Sequence, residues 1–332
     1  MKKQIIAAAV ATSVSAIAMA DISISGNANY EYFAKEDTAG FKTNYGDTEV
    51  NLFVKGKTGD TTVVANFEID EAGTAAAGTG IDVEDLYIQS KIGDIDVKAG
   101  DFASGTTALG GEIDNGSRAV NKVSLSTKVG PATVGYHVSE SGGAYNTDGA
   151  AITASMNVAG VDLSIKEQSD SYTLMGAKGS VAGVNYRIEN WDSDSADSDV
   201  LFYEVGTKFG GLNVSYAAID ADAASLVTED DSSIFAQEMA SASAAPKAGV
   251  DGVNQITVST DVDGTTLTLK AGELTGIATK QDAAFYQIAA KRKLASGATI
   301  NVSYDDYETH NISTGSTMTD TQVFEIDLSV AF

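Results

Sequence analysis

The sequence predicts an all-β fold: a closed, antiparallel up-and-down barrel that spans a membrane with its strands, with short turns at one rim and long loops at the other. Three observations carry this. Apolar and polar residues alternate with period two at both ends of the chain and throughout its length. The connections between alternating runs sort into tight turns and long polar loops. Charge is confined almost wholly to one parity of each run.

The chain end shows the alternation most clearly. From Gln322 to Phe332, the residues Phe324, Ile326, Leu328, Val330 and Phe332 fall on one side of an extended strand, opposite Glu325, Asp327 and Ser329. No helix would gather them so. At the other end, Met1 to Ala20 carries Lys2 and Lys3, an apolar run and then Ala18-Met19-Ala20. That is the pattern of a secretory signal peptide over residues 1–20, which leaves 21–332 as the mature barrel. Removing Lys2 and Lys3 leaves 19 basic residues against 46 acidic ones, a charge of −27. Such a chain is unsuited to nucleic acid. Cysteine is absent, so neither disulfides nor thiolate metal sites are expected. No later run is long and apolar enough for a membrane-spanning helix.

In chain order, the first expected strand is Asp21 to Tyr32. Hairpins then follow at 48–56 with 61–69, 83–92 with 95–101, 119–128 with 133–139 and 150–158 with 161–167. Further pairs are 172–179 with 184–190, 200–209 with 212–219, 255–260 with 265–273 and 284–294 with 299–308. Turns such as Gly93-Asp94, Ala159-Gly160 and Gly210-Gly211 are short enough for tight hairpins. With the terminal strand the count is eighteen, an even number that puts both ends at the short-turn rim. A barrel this wide cannot be filled by Val and Ile. The polar parity should therefore line a lumen and the apolar parity should meet lipid. Tyr32, Tyr87, Tyr172, Tyr216 and Tyr304 would suit aromatic girdles.

The segment Asp85 to Asp101, an alternating strand, a Gly-containing turn and a strand ending in Gly100-Asp101, resembles the hairpin that leads into the third loop of Gram-negative general diffusion porins. The Ile-Ser-Gly start and the terminal Phe332 are similar as well. The resemblance implies an outer-membrane, water-filled channel, a homotrimer, lipopolysaccharide around the outer loops and a terminal Phe332 read by the barrel insertion machinery. It also implies a constriction loop at 102–118. Members of that family have sixteen strands, so sixteen stays open beside the eighteen counted here. On this resemblance the constriction acids are Asp101, Glu112 and Asp114, and the bases are Arg118, Lys55, Lys98 and Lys122. The alternating parity puts Glu49, Glu68, Glu189, Glu325 and Asp327 inward, and with the net charge this points to cation preference.

Other classes stay open. Asp192 to Asp199 is an acidic string without the glycine and terminal Glu of a calcium loop, so no metal site is expected. The run 228–240 could form a short helix. Catalysis wants a His beside an acid or Ser, and only His137 and His310 are present, so no catalytic residue and no cofactor are expected. A non-conducting structural or adhesive barrel is the main alternative to a channel, and a barrel enzyme a lesser one.

Overall fold

In the computed structural model, the described residues are 21–332 except 38–41, 72–79, 103–118, 142–143, 146–149, 170, 195–198, 223–251, 277–280 and 312–316. The expected signal peptide at 1–20 lies outside them, and so do Glu112, Asp114, Arg118 and the run 228–240.

Among the described residues there are strands and turns and no helix. In chain order the strands are β1 (Asp21–Asp37), β2 (Lys42–Thr58), β3 (Thr61–Glu71), β4 (Gly80–Ile92), β5 (Ile95–Phe102), β6 (Ala119–Val129), β7 (Ala132–Val138), β8 (Glu140–Ser141), β9 (Ala144–Tyr145) and β10 (Ala151–Val158). They continue as β11 (Val161–Gln168), β12 (Tyr172–Val181), β13 (Val184–Ser193), β14 (Val200–Phe209), β15 (Leu212–Ala221), β16 (Gly252–Val262), β17 (Thr265–Gly276), β18 (Gln281–Lys293), β19 (Thr299–Asn311) and β20 (Thr317–Ala331). The two-residue strands β8 and β9 pair only with each other. The remaining eighteen form one sheet in which each strand pairs antiparallel with its sequence neighbour and β20 pairs with β1. The ring is closed at eighteen strands, and the sixteen-strand alternative falls away.

The expected spans all occur, but several strands run further toward the long loops. The connection expected between Tyr32 and Thr48 shrinks because β1 and β2 pair as far as Glu36 with Lys42. Hydrogen-bonded partners extend a strand past its clean alternation, since the ladder needs only backbone groups. The turns follow backbone chemistry. Positive φ falls on both central residues at Ala159-Gly160, Ala182-Gly183 and Asp263-Gly264, the conformation whose twist matches the flanking strands. The last of these corrects a four-residue turn expected at 261–264 to a two-residue one.

Closure depends on the chain end. The Gly26 N–H donates to the Phe332 carbonyl and the Phe332 N–H to the Gly26 carbonyl, each at 2.9 Å. A Cβ on Gly26 would come within 2.5 Å of the Phe332 ring, so the ring lies on the glycine and covers the backbone there.

The two parities separate as expected. Outward residues include Ile24 (65% exposed), Ile88 (52%) and Ile288 (56%). A water-soluble barrel would hide such a face. Tyr203 and Tyr216 also point outward with ring centroids 6.2 Å apart, as do Tyr286 and Tyr304 at the same spacing. Tyr87 and Tyr172 do not join them. Both face inward, because each shares a register row with inward Gly100 and Gln168 respectively, so neither belongs to a lipid-facing girdle.

Candidate functional site

The inner wall has sectors of different character. On β20, β1 and β2 it is acidic. Glu31 stands opposite Asp327 on one neighbour and Asp47 on the other, so three carboxylates lie in one row across three strands. Glu49 and Glu325 flank that row, opposite Asn29 and Phe33. Glu68 faces Asn51 on the next strand. Like charges directly opposite each other repel, and only a water-filled, high-dielectric space keeps that repulsion small.

The basic sector begins at β5. The Gly100 backbone has φ +133, and a Cβ there would lie 2.2 Å from the Leu86 carbonyl oxygen, so only glycine fits. Between Gly100 and Phe102 the register with β6 slips. The extra residue lies on β6, at left-handed Asn121, while β5 keeps its alternation, so Phe102 falls inward with Lys98 and Gly100 and is 3% exposed. Lys98 Nζ sits 3.8 Å from the Tyr87 ring centroid and 4.0 Å from that of Phe102. Lys122 Nζ approaches the same Phe102 ring at 5.2 Å. Further round, Lys166 Nζ lies 5.1 Å from the Tyr172 ring. Cations over aromatic faces are held by the ring quadrupole while their stems pack on carbon.

Of the expected constriction residues, Lys98 and Lys122 are therefore brought together. Lys55 is not one of this pair: it is exposed near the tight turn after Thr58, in register with Ser23 and Val64. Asp101 shares the register of outward-facing Leu86, and its Oδ1 accepts the Asn121 N–H at 2.6 Å. It supports the left-handed Asn121 at the start of β6. Sequence reasoning missed Lys166, Tyr87 and Phe102 as members of this group. The period-two parity of β11 contained the signal for Lys166, and the parity of β5, running Lys98, Gly100, Phe102, contained that for Phe102.

The far edge of the basic sector faces the acidic one, whereas Lys98 on β5 stands three strands from β2. Following the pairings round the ring, β11 stands nine strands from β20, half of eighteen. Lys166 and Asp327 are thus on opposed walls.

A third sector, β12 to β19, differs at the long-loop end. Its inward residues Tyr172, Leu174, Trp191, Phe202, Ile219 and Phe285 belong to one buried apolar cluster. Leu174 and Phe202 are 0% exposed, and the Tyr172 and Trp191 rings stack at 3.8 Å. Glu189, expected as a lumenal acid, is also 0% exposed beside Phe202, so it is not a hydrated lumen charge. Nearer the tight turns the same strands are polar. A cleft of about 610 Å³ is lined there by Lys178, Ser180, Asn185, Arg187 and Glu204, with Arg187 Nη2 3.4 Å from Glu204 Oε2.

His137 faces inward between these regions. Its Nε2 is 3.1 Å from the Thr153 hydroxyl, and Nδ1 is buried without a hydrogen-bond partner. Among the described residues, the charged groups within its electrostatic range are Lys122 and Lys166. The described residues include no group of three or more acids, His or Cys placed to hold a metal.

No family model and no curated protein matches this sequence. The fold is similar to solved barrels. Pseudomonas aeruginosa OccK8 (OprE) aligns at TM-score 0.65 and 10% identity, over 94% of this chain and 98% of that one. Pseudomonas aeruginosa OpdQ aligns at 0.64 and 12%, over 95% and 99%, and Acinetobacter baumannii OccAB4 at 0.64 and 9%, over 94% and 98%. At these identities the likeness is one of fold.

Proposed function

We propose that this chain forms a water-filled channel in the outer membrane of a Gram-negative bacterium, through which small hydrophilic solutes and ions diffuse with a preference for cations. The observation that carries the reading is the inverted polarity of a closed ring. Its outward parity is apolar and exposed, and its inward parity places Asp47, Glu31 and Asp327 side by side. The shared barrel fold of the solved structures named above supports it, and the strands supply the crossing that no helix among the described residues does.

The opposed acidic and basic walls would impose a transverse field that favours hydrated, polar solutes over apolar ones. With the acids outnumbering the bases overall, cations should predominate in the current. On this reading residues 1–20 are removed on export and the tight turns face the periplasm. Three copies assemble with lipopolysaccharide around them, and Phe332 is presented to the insertion machinery. No step of catalysis is assigned to any residue.

One feature favours a second reading, a non-conducting structural barrel: the cluster on β12 to β19 is closed to solvent, so part of the inward parity does not line water. One experiment separates the two. Purified protein in a planar bilayer under a salt gradient should give discrete ion-conducting steps and a reversal potential of cation-selective sign. Absence of conductance from folded, inserted protein overturns the channel; an anion-selective sign overturns the preference alone.

A further inference from the structure

Lys122 is in an unusual electrostatic position. It is 5% exposed, and a buried ammonium is costly unless an opposite charge or several acceptors compensate it. Its Nζ lies over the face of Phe102 at 5.2 Å, and among the described residues no carboxylate bonds it. The charges within its electrostatic range are Lys166 and Lys98, both of its own sign. Lys98 is half-buried between the Tyr87 and Phe102 rings, with Asp85 as the acid in its range. On the next strand His137 presents a buried Nδ1 without a partner, and Ser124 stands directly opposite it in the register. The wall thus gathers hydrogen-bond donors around one buried cation for which the described residues supply no paired acid.

We infer that Lys122, with Lys98, Lys166 and His137 around it, forms a binding station for a small tetrahedral oxyanion, of the class of inorganic phosphate or sulfate. This deepens the channel reading and rests on it for the route by which the ligand arrives. The donors project from β5, β6, β7 and β11, more directions than the two oxygens of a monocarboxylate can meet at once. Four oxygens carrying two charges meet them and supply the missing compensation. Because the group lies on the inward parity, a lipid headgroup in the surrounding membrane cannot reach it. A locally anion-binding wall within an overall acidic lumen would delay such ions without reversing the general cation preference.

The test is titration of the intact protein in detergent micelles with inorganic phosphate, sulfate and acetate, read by calorimetry at constant ionic strength. The expected result is saturable binding of phosphate and sulfate, with acetate weaker by at least about tenfold. Lys122→Met should weaken phosphate binding on the order of tenfold or more, while Lys122→Arg retains most of it and Lys55→Met leaves it unchanged. Without phosphate, Lys122→Met should unfold at a higher temperature than the parent, since it removes a buried charge that has no paired acid among the described residues. That also shows that loss of binding is not loss of fold. Absence of phosphate binding by the parent, equal binding by folded Lys122→Met, or acetate binding as tightly as phosphate each overturns the inference. In a bilayer, conduction with no effect of phosphate leaves the channel standing and removes the station. Calorimetric binding by a non-conducting protein does the reverse.

Discussion

Two stretches of the inner wall share one sequence pattern and have opposite interiors. On β20, β1 and β2 the inward parity holds Asp327, Glu325, Glu31, Asp47 and Glu49, half-exposed and mutually repelling. On β12 to β15 the same parity, at the long-loop end, holds Leu174, Trp191, Phe202 and Ile219, closed to solvent. The first sector is tolerable because water screens it; the second is stable because water is excluded, each fully buried large side chain contributing about 1.5–3 kcal/mol. Facing inward in a wide barrel therefore does not by itself mean facing water.

The largest effect should come from forcing one sector to take the other's chemistry. Leu174→Asp puts a carboxylate at a site with 0% exposure and should cost more than about 3 kcal/mol, seen as failed assembly or a marked fall in thermal unfolding. Normal folding with an unchanged unfolding temperature would show that the sector is wet after all. Nearly as severe should be Gly100→Val, because its Cβ would meet the Leu86 carbonyl at 2.2 Å and φ +133 is closed to a branched side chain. The β4–β5 pairing beside Lys98 and Phe102 would be forced apart, and folded protein should be recovered in low yield.

Deleting Phe332 sits next in order. It removes two closing hydrogen bonds and the ring over Gly26, so assembly should suffer more than the conductance of those barrels that do form. Normal insertion of the shortened chain would count against closure by the terminal residue. In the wet sector the effects should be smaller and of another kind. Glu31→Gln with Asp327→Asn should shift the reversal potential toward neutrality and raise stability by about 0.2–1 kcal/mol per relieved pair. An unchanged potential would mean that this row does not face the ion path. Lys55→Gln should do least, since an exposed charge is screened beyond about 8–10 Å at ordinary salt.

Much of the ring was legible in advance because its cause is local. Side chains alternate across any strand, and Ala159-Gly160 or Gly93-Asp94 can be read as turns from their backbone preferences. Lys98 and Lys122 were legible as inward bases for the same reason. Asp101 was misplaced because it was taken from its position before the third loop; alternation from inward Lys98 and Gly100 already turns it outward. Tyr87 and Tyr172 were misplaced because a tyrosine suits either an interface or a packed interior, and the choice lies with its neighbours across the sheet.

The amino-acid sequence alone determined the number of strands, the parity that turns inward and the pairing of each strand with the next, since these follow from periodicities of two and from short connections. Tertiary structure alone decided which inward residues are wet. Whether Glu189 meets water or Phe202, and whether Lys122 meets a carboxylate or two other lysines, is settled by strands separated in the chain and joined by curvature of the ring. Burial and electrostatic energy depend on distance in space, which a repeat of two residues does not encode.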